Sequence, residues 1–136
     1  MKRYLLDTNI CIYFLKGLYQ LDRKIEQVGP ANCFISEMTV AELKYGAENS
    51  KTPEVLRPII AAFLPKFVVI PVYDALDVYA AEKARLRKQG LIIDDFDILI
   101  GATAVVNNMV MVSNNHKHLS RISNIDLQDW TTAEPG

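Results

Sequence analysis

Four short runs of apolar residues are the feature that most constrains the fold of this chain. They read RYLL (3–6), CFIS (33–36), FVVI (67–70) and MVMV (109–112), and each is nearly continuous in hydrophobicity and rich in β-branched or aromatic residues. Runs of this kind are typical of parallel strands that are covered on both faces. We therefore predict four buried strands, with a fifth at 125–127.

The segments between these strands have the pattern of helices. The first helix is expected to start at a Thr8 or Asn9 cap and to stop at Gly17, the third to begin at Thr39, and the fourth to carry Pro53 in its first turn. Strands that alternate with helices predict a three-layer α/β/α domain with a central parallel sheet of four to five strands. At 136 residues we expect one domain over residues 1–136, with the last few residues as a flexible tail.

The charge balance limits how this chain could bind nucleic acid. Its formal net charge is −1, so it lacks the general basic surface that holds proteins to nucleic acid by counterion release. Any such contact has to be local. Two basic groups are candidates, although basic residues in the last turn of a helix also serve as ordinary dipole partners: Lys83, Arg85, Arg87 and Lys88, and Lys117, His118 and Arg121.

The cysteines and the apolar stretches indicate a cytoplasmic protein without a membrane segment. Cys11 and Cys33 lie in apolar surroundings without CxxC spacing, which favours buried, reduced thiols. The longest apolar window is interrupted by Pro65 and Lys66, so it is shorter than the roughly 20 residues that a membrane helix needs.

Polar residues follow the predicted strands at one edge of the sheet. Asp7 ends the first strand, Glu42 lies in the helix after the second, Asp97 in the helix before the fourth, and Ser113 and Asn115 follow the fourth. In open parallel sheets, ligands bind at the carboxyl ends of the strands, where the strand order reverses. This edge is therefore the candidate functional site.

Two interpretations of these acids stay open at this level. Acids near helix N-termini are favoured by capping and by the helix dipole; Thr39 with Glu42 has the spacing of a capping box, Asp94 with Asp97 resembles one, and Asn115 could cap the following helix. If the acids instead converge in one crevice, a cation has to offset their repulsion. Oxygen ligands without His or Cys suit Mg²⁺ or Mn²⁺ rather than zinc, and such ions suit phosphodiester hydrolysis.

Four blocks of the sequence resemble, in order, the PIN-domain ribonucleases, and are most similar to the VapC toxins of toxin–antitoxin systems. The blocks are YLLDTNICIYFLKG, ISEMTVAELKYGA, DDFDILIGATAVVNNMVMVSNN and IDLQDW. The resemblance implies a PIN-like fold and a Mg²⁺- or Mn²⁺-dependent endoribonuclease that inhibits translation as a type II toxin. Its implied partners are an RNA substrate such as tRNA, a VapB-type antitoxin and a second copy of the chain in a homodimer.

The resemblance also implies roles for individual residues. Asp7, Glu42 and Asp97 correspond to the family's catalytic metal ligands. We expect Thr8 and Asn9 to steady Asp7, and Ser113 and Asn115 to support the ligands or bind weakly.

The sequence departs from the family pattern after the fourth strand. Asn115 stands where the family often has a fourth acid, which favours one metal ion over a tightly bound pair. Haloacid-dehalogenase and receiver-domain folds fit less well, because Asn9 replaces the second acid of the former and the third strand lacks the acid of the latter. The remaining alternative is a non-catalytic PIN-like module that binds RNA or protein.

Overall fold

The computed structural model describes residues 2–132, and within this range five strands alternate with seven α-helices. The predicted C-terminal tail falls largely on residues 133–136, which lie outside the described residues. The strands are β1 (Tyr4–Leu6), β2 (Cys33–Ser36), β3 (Val68–Ile70), β4 (Val110–Val112) and β5 (Leu127–Gln128). The α-helices are α1 (Thr8–Leu15), α2 (Leu21–Val28), α3 (Glu37–Glu48), α4 (Pro53–Phe63), α5 (Leu76–Lys88), α6 (Asp95–Val106) and α7 (His116–Leu119), and short 3₁₀ turns cover Pro30–Asn32, Leu64–Lys66 and Tyr73–Ala75.

All pairs of neighbouring strands are parallel, in the order β3-β2-β1-β4-β5. The first strand of the chain is thus the central one: Tyr4 pairs with Cys33 of β2 on one side and with Val110 of β4 on the other. The order reverses between β1 and β4, so the crevice expected for a ligand opens at the carboxyl ends of these two strands.

Successive residues of the central strands point into two different hydrophobic cores, one on each face of the sheet. Helices cover both cores, so the domain has three layers. Leu6 and Val112 pack with α1 to α4, whereas Leu5 and Met111 pack with α6 and α7 on the opposite face. A side-chain period of two along a strand produces this division. The predicted α/β/α fold with a parallel sheet of four to five strands is confirmed.

The prediction that the third strand is covered on both faces is wrong. Val68 is 63% exposed and Val69 is also exposed, because β3 is an edge strand with one sheet neighbour. The hydrophobic run alone could not distinguish a central strand from an edge strand.

Two helix starts also differ from the sequence-based expectation. The first helix is capped by Asp7 instead of Thr8 or Asn9. The third begins at Glu37 because the Ser36 hydroxyl accepts a hydrogen bond from the Met38 N–H, so the predicted Thr39 cap lies inside the helix. In the part of the chain that the structure describes, no helix combines the length and the apolar character needed to cross a membrane.

Candidate metal centre

Asp7 and Ser113 lie side by side at the reversal of strand order. The Asp7 N–H continues the sheet ladder by donating to the Val112 carbonyl at 2.9 Å, and the Ser113 N–H donates to the Gln128 carbonyl at 3.0 Å. Backbone pairing therefore fixes both residues just beyond the ends of their strands. The ends of β1 and β4 form the floor of the candidate site.

The Asp7 carboxylate is held from two directions. The Thr8 N–H donates to Oδ1 at 2.8 Å, and the Ser113 hydroxyl donates to Oδ2 at 2.7 Å. Ser113 is oriented in turn by the Asn115 N–H, which donates to its Oγ at 2.9 Å. Asp7 is only 4% exposed, and burial raises the pKa of its carboxyl although the two hydrogen bonds oppose that rise.

Glu42 is connected to Asp7 through Thr8. The Thr8 hydroxyl donates to Glu42 Oε1 at 2.7 Å and lies 3.0 Å from the buried Thr39 hydroxyl. Burial raises the pKa of Glu42, the Thr8 hydrogen bond opposes this, and the charges of Asp7 and Asp94 raise it further. The hydroxyl of Thr8 thus orients Glu42, whereas its N–H orients Asp7.

The Asp97 carboxyl is also partly buried and lies near other negative charges. Burial, followed by the charges of Asp7, Asp94 and Glu42, raises its pKa to about 6. Asn115 Nδ2 lies 3.5 Å from Asp97 Oδ2, a long contact at the limit of hydrogen bonding. The structure therefore brings Asp7, Glu42 and Asp97 close enough to repel one another at one edge of the sheet.

The remaining sequence candidates are placed as follows. Asn9 is exposed, and its side chain makes no hydrogen bond to Asp7 within residues 2–132. Asn115 precedes α7 as predicted, but its side chain does not cap that helix. Asp94 caps α6 through the Phe96 N–H.

Two of the four basic residues in the predicted patch on α5 form ion pairs. Lys83 lies 2.7 Å from Asp95, and Arg85 lies 2.6 Å from Glu82. Arg85, Arg87 and Lys88 lie in the last turn of α5, where the interpretation as helix-dipole partners places them. The interpretation of Cys11 and Cys33 as buried free thiols is confirmed.

Sequence reasoning missed two contacts at this edge. The spacing assigns Thr39 to a cap, yet its hydroxyl lies against that of Thr8 in the interior. Asn114 Nδ2 donates to the Tyr13 hydroxyl at 3.0 Å, which joins the loop after β4 to α1. Both contacts connect residues far apart in sequence, so no local spacing signals them.

The donor set fits a hydrated divalent cation better than a fully enclosed one. Within residues 2–132, no three acidic, His or Cys side chains lie close enough together to enclose an ion as they stand. Mg²⁺ is usually bound by one or two carboxylates and keeps several waters, so a closed set is not required. The site offers oxygen donors and a carboxylate, that of Asp7, held in a fixed orientation. A bound cation would offset the repulsion between the acids.

Comparisons with known proteins agree with this fold and show the family of the chain. The PIN domain model matches residues 4–125. The chain therefore belongs to the PIN-domain family and, within it, to the VapC ribonucleases of toxin–antitoxin systems. Ribonuclease VapC2 of Haemophilus influenzae is 38% identical over 136 residues, which cover 96% of this chain and 99% of that relative.

A further relative and a solved structure are also similar to this chain over nearly its full length. The tRNA(fMet)-specific endonuclease VapC of Shigella flexneri is 30% identical over 132 residues, covering 96% of this chain and 100% of that relative. The crystal structure of VapBC2 from Rickettsia felis, bound to a DNA fragment from its promoter, matches with a TM-score of 0.85 and 33% identity, covering 93% of this chain and 98% of that one.

Proposed function

We propose that this protein is a divalent-metal-dependent endoribonuclease that acts as the toxin of a type II toxin–antitoxin module and inhibits translation by cutting RNA. The observation that carries the proposal is the orientation of Asp7 by Thr8 and Ser113 where the strand order reverses. The Asp97 carboxyl lies near enough for the charges of Asp7 and Glu42 to raise its pKa. Membership in the VapC ribonucleases supports RNA as the substrate.

We assign Asp7 and Asp97 as the carboxylates that hold the principal ion. Asp7 keeps unshared lone pairs on both oxygens after its two hydrogen bonds, so it is able to bind a cation without losing its orientation. Asn115 contributes an amide where an acid would add negative charge, which favours a single ion. Mg²⁺ or Mn²⁺, when bound, would neutralise a substrate phosphate and make a bound water more acidic.

Glu42 has the role of orienting the attacking water. Its carboxylate is fixed by the Thr8 hydroxyl and retains the second oxygen for a water molecule. The water oxygen attacks phosphorus and gives up a proton, the bond from phosphorus to the 3′ oxygen breaks, and that oxygen takes up a proton. The products carry a 5′-phosphate and a 3′-hydroxyl. No protein nucleophile is required.

The partners follow from the relatives. The Rickettsia felis neighbour is a VapBC complex, and we propose a VapB-type antitoxin for this chain together with a homodimeric, cytoplasmic toxin. The Shigella flexneri relative is named for tRNA(fMet), so tRNA is the first substrate class to test.

The deciding experiment is cleavage of total RNA and a tRNA panel by the antitoxin-free protein, with Mg²⁺ or Mn²⁺ against EDTA. We expect discrete cuts with 5′-phosphate ends that disappear in EDTA and fall at least ~100-fold in Asp7→Asn, since transition-state charge stabilisation is typically worth about that much. Asp22→Asn, an exposed acid on α2, is the matched control and should cut normally. Full metal-dependent activity in Asp7→Asn would refute the assignment.

The second candidate is a PIN-like module that binds RNA or protein without cutting. Asn115, in place of an acid, is the observation that favours it. RNA binding that persists without cleavage of any substrate, together with no measurable heat of Mn²⁺ binding, would establish this alternative.

A further inference from the structure

The turn between α1 and α2 has an unusual backbone. Gly17 ends α1 at φ +70°, as glycine commonly does, but Tyr19 and Gln20 follow at φ +59° and +52°. Left-handed conformations are unfavourable for residues with a side chain, and two in succession are rare. Such strain persists where the surrounding structure imposes it, and it is concentrated at functional positions.

This turn presents an aromatic ring to solvent. Tyr19 is 53% exposed, and its ring meets that of Tyr13 edge to face, with centroids 5.2 Å apart and planes at 72°. Edge-to-face packing is a favoured arrangement of aromatic rings and stabilises this orientation. The exposed tyrosine therefore has a preferred position against Tyr13.

The tyrosine pair is continuous with the candidate metal centre. The Tyr13 hydroxyl accepts from Asn114, and the next residue back, Ser113, holds the Asp7 carboxylate. Within residues 2–132 the Tyr13 hydroxyl donates its own hydrogen to no protein acceptor, so it remains available to a ligand. The Tyr13 hydroxyl therefore lies at the loop that follows β4, one residue from the side chain that holds Asp7.

Aromatic side chains can add to the binding of RNA at an acidic site. The carboxylates repel phosphates, and the chain as a whole carries a net charge of −1. Aromatic rings bind unpaired bases of any sequence by stacking, alongside charge contacts to the RNA backbone.

We infer that Tyr13 and Tyr19 form a stacking platform for an unpaired base next to the scissile phosphate. The inference rests on the proposed ribonuclease function and adds to it which side chains hold the nucleotide beside the cut. Tyr19 supplies the stacking face, and Tyr13 supports that ring and offers a hydroxyl hydrogen to the same nucleotide. An antitoxin segment covering these rings is the competing occupant, which the experiment separates.

The first test measures cleavage of a short RNA that contains the mapped cut site. Tyr19→Ala should lower kcat/KM about tenfold, mainly by raising KM, while Tyr19→Phe keeps nearly full activity because the ring remains. Tyr19→Gly should lose the same factor yet fold at least as stably, since glycine tolerates the left-handed backbone. Tyr45→Ala, an exposed tyrosine on α3, is the control.

The second test removes bases one at a time from the RNA. An abasic nucleotide at the stacked position should slow the wild type about tenfold and add little to Tyr19→Ala, whereas abasic positions elsewhere should affect both proteins equally. Equal cleavage by wild type and Tyr19→Ala on all substrates would overturn the inference and leave the ribonuclease assignment intact. The inference also fails if Tyr19→Ala cuts normally but escapes inhibition by the co-expressed antitoxin, because the rings would then serve the antitoxin instead of the RNA.

Binding keeps the inference testable if no cleavage is found. In the Asp7→Asn background, the affinity for a labelled single-stranded RNA, measured by anisotropy, should weaken about tenfold on adding Tyr19→Ala, at both low and high salt, because stacking is less salt-dependent than phosphate contact. Unchanged affinity would overturn the stacking platform. Absence of cleavage by the wild type alongside this loss would instead remove the ribonuclease function.

Discussion

The two oxygens of Asp7 have different partners, so the residue can cap a helix and still have lone pairs for a ligand. Oδ1 accepts from Thr8 at the start of α1, while Oδ2 accepts from Ser113 on the neighbouring strand end. A cap uses one lone pair, so the carboxylate retains others for a cation. The capping interpretation and the ligand interpretation are compatible at this residue.

Replacing Ser113 should weaken metal binding without removing a ligand. Ser113→Ala deletes the hydrogen bond that orients Asp7 Oδ2, and loss of such a supporting contact typically lowers metal affinity roughly 10- to 100-fold. Titration calorimetry with Mn²⁺ measures the change. Ser120→Ala, an exposed serine next to α7, should bind like the wild type; equal affinity in Ser113→Ala would contradict the orienting role.

The raised pKa of Asp97 predicts a stability cost in the metal-free protein. Because the folded-state pKa of about 6 lies above the ordinary 3.8, its contribution to stability is present below pH 3.8 and is lost as pH rises through 6. Asp97→Asn removes this loss. At pH 7 it should stabilise the metal-free protein by about 1 kcal/mol, because solvent around the partly exposed side chain screens much of the repulsion.

Urea unfolding in EDTA at pH 4 and pH 7 measures this effect. The gain in Asp97→Asn should be larger at pH 7 than at pH 4. Asp95→Asn should not stabilise at pH 7, because the hydrogen bond from Lys83 lowers the pKa of Asp95 and makes its ionised form favourable. Destabilisation of the metal-free protein by Asp97→Asn at pH 7 would contradict the electrostatic argument.

Helix α6 carries Asp97 and approaches the chain after α7 closely at Gly101. A Cβ built on Gly101 would lie 2.5 Å from Ile122 Cδ1 and 3.4 Å from Ile125 Cδ1. The absence of a side chain thus lets the buried Ile122 pack directly on the helix backbone. This contact sets the spacing between the helix of Asp97 and the segment that follows Asn115.

A mutant cycle at this contact should be strongly non-additive. Gly101→Ala should destabilise by about 1 kcal/mol, because overpacking of about 1–3 kcal/mol exceeds the gain in helix propensity. Ile122→Val removes the clashing carbon, so the double mutant should be more stable than the sum of the single effects by about 1 kcal/mol. Thermal unfolding is the measurement.

The matched control for this cycle is Gly46→Ala on α3. No atom lies within 4 Å of a Cβ placed at Gly46, so alanine should stabilise the helix by about 0.5–1 kcal/mol. A stabilising Gly101→Ala would show that Ile122 changes rotamer at little cost and that the contact does not set the spacing.

Among the strands and helices, those marked by a local sequence pattern were predicted correctly. The runs around Leu5, Ile35 and Met111 identified the central strands, and Pro53 marked the start of α4. The edge position of β3 and the interior location of Thr39 depend on which elements become neighbours, and local hydrophobicity does not encode that. The same limit applies to the site: strand ends placed Asp7 and Ser113 together, but the Thr8 contact with Glu42 spans 34 positions.

The reactivity of the two cysteine thiols can be used to measure unfolding of the whole domain. Cys11 and Cys33 are buried, and burial raises the pKa of both thiols, that of Cys33 to about 11. Neither should react with a thiol reagent at pH 8 until the domain unfolds. Labelling followed by mass spectrometry should show both cysteines modified together, with denatured protein as the fully reactive control.

Mn²⁺ should slow this labelling through its binding to the native state. A ligand at about 100 times its dissociation constant stabilises the native state by about 2.7 kcal/mol, which is roughly a 100-fold decrease in the unfolded fraction. Asp7→Asn should show no such protection. Rapid labelling of one cysteine in the native protein would indicate local opening and would contradict a single cooperative unit.

The order of the strands has a consequence for the protein's synthesis. The central strand is made before the other four, but its neighbour β4 and the hydroxyl that holds Asp7 Oδ2 come more than 100 positions later, since Ser113 and Asp7 are 106 residues apart. A nascent chain therefore contains Asp7 and Glu42 long before β4 and Ser113 have been added to complete the crevice. The ribosome that makes this protein is therefore exposed to the assembled candidate site only after β4 and Ser113 have been synthesised.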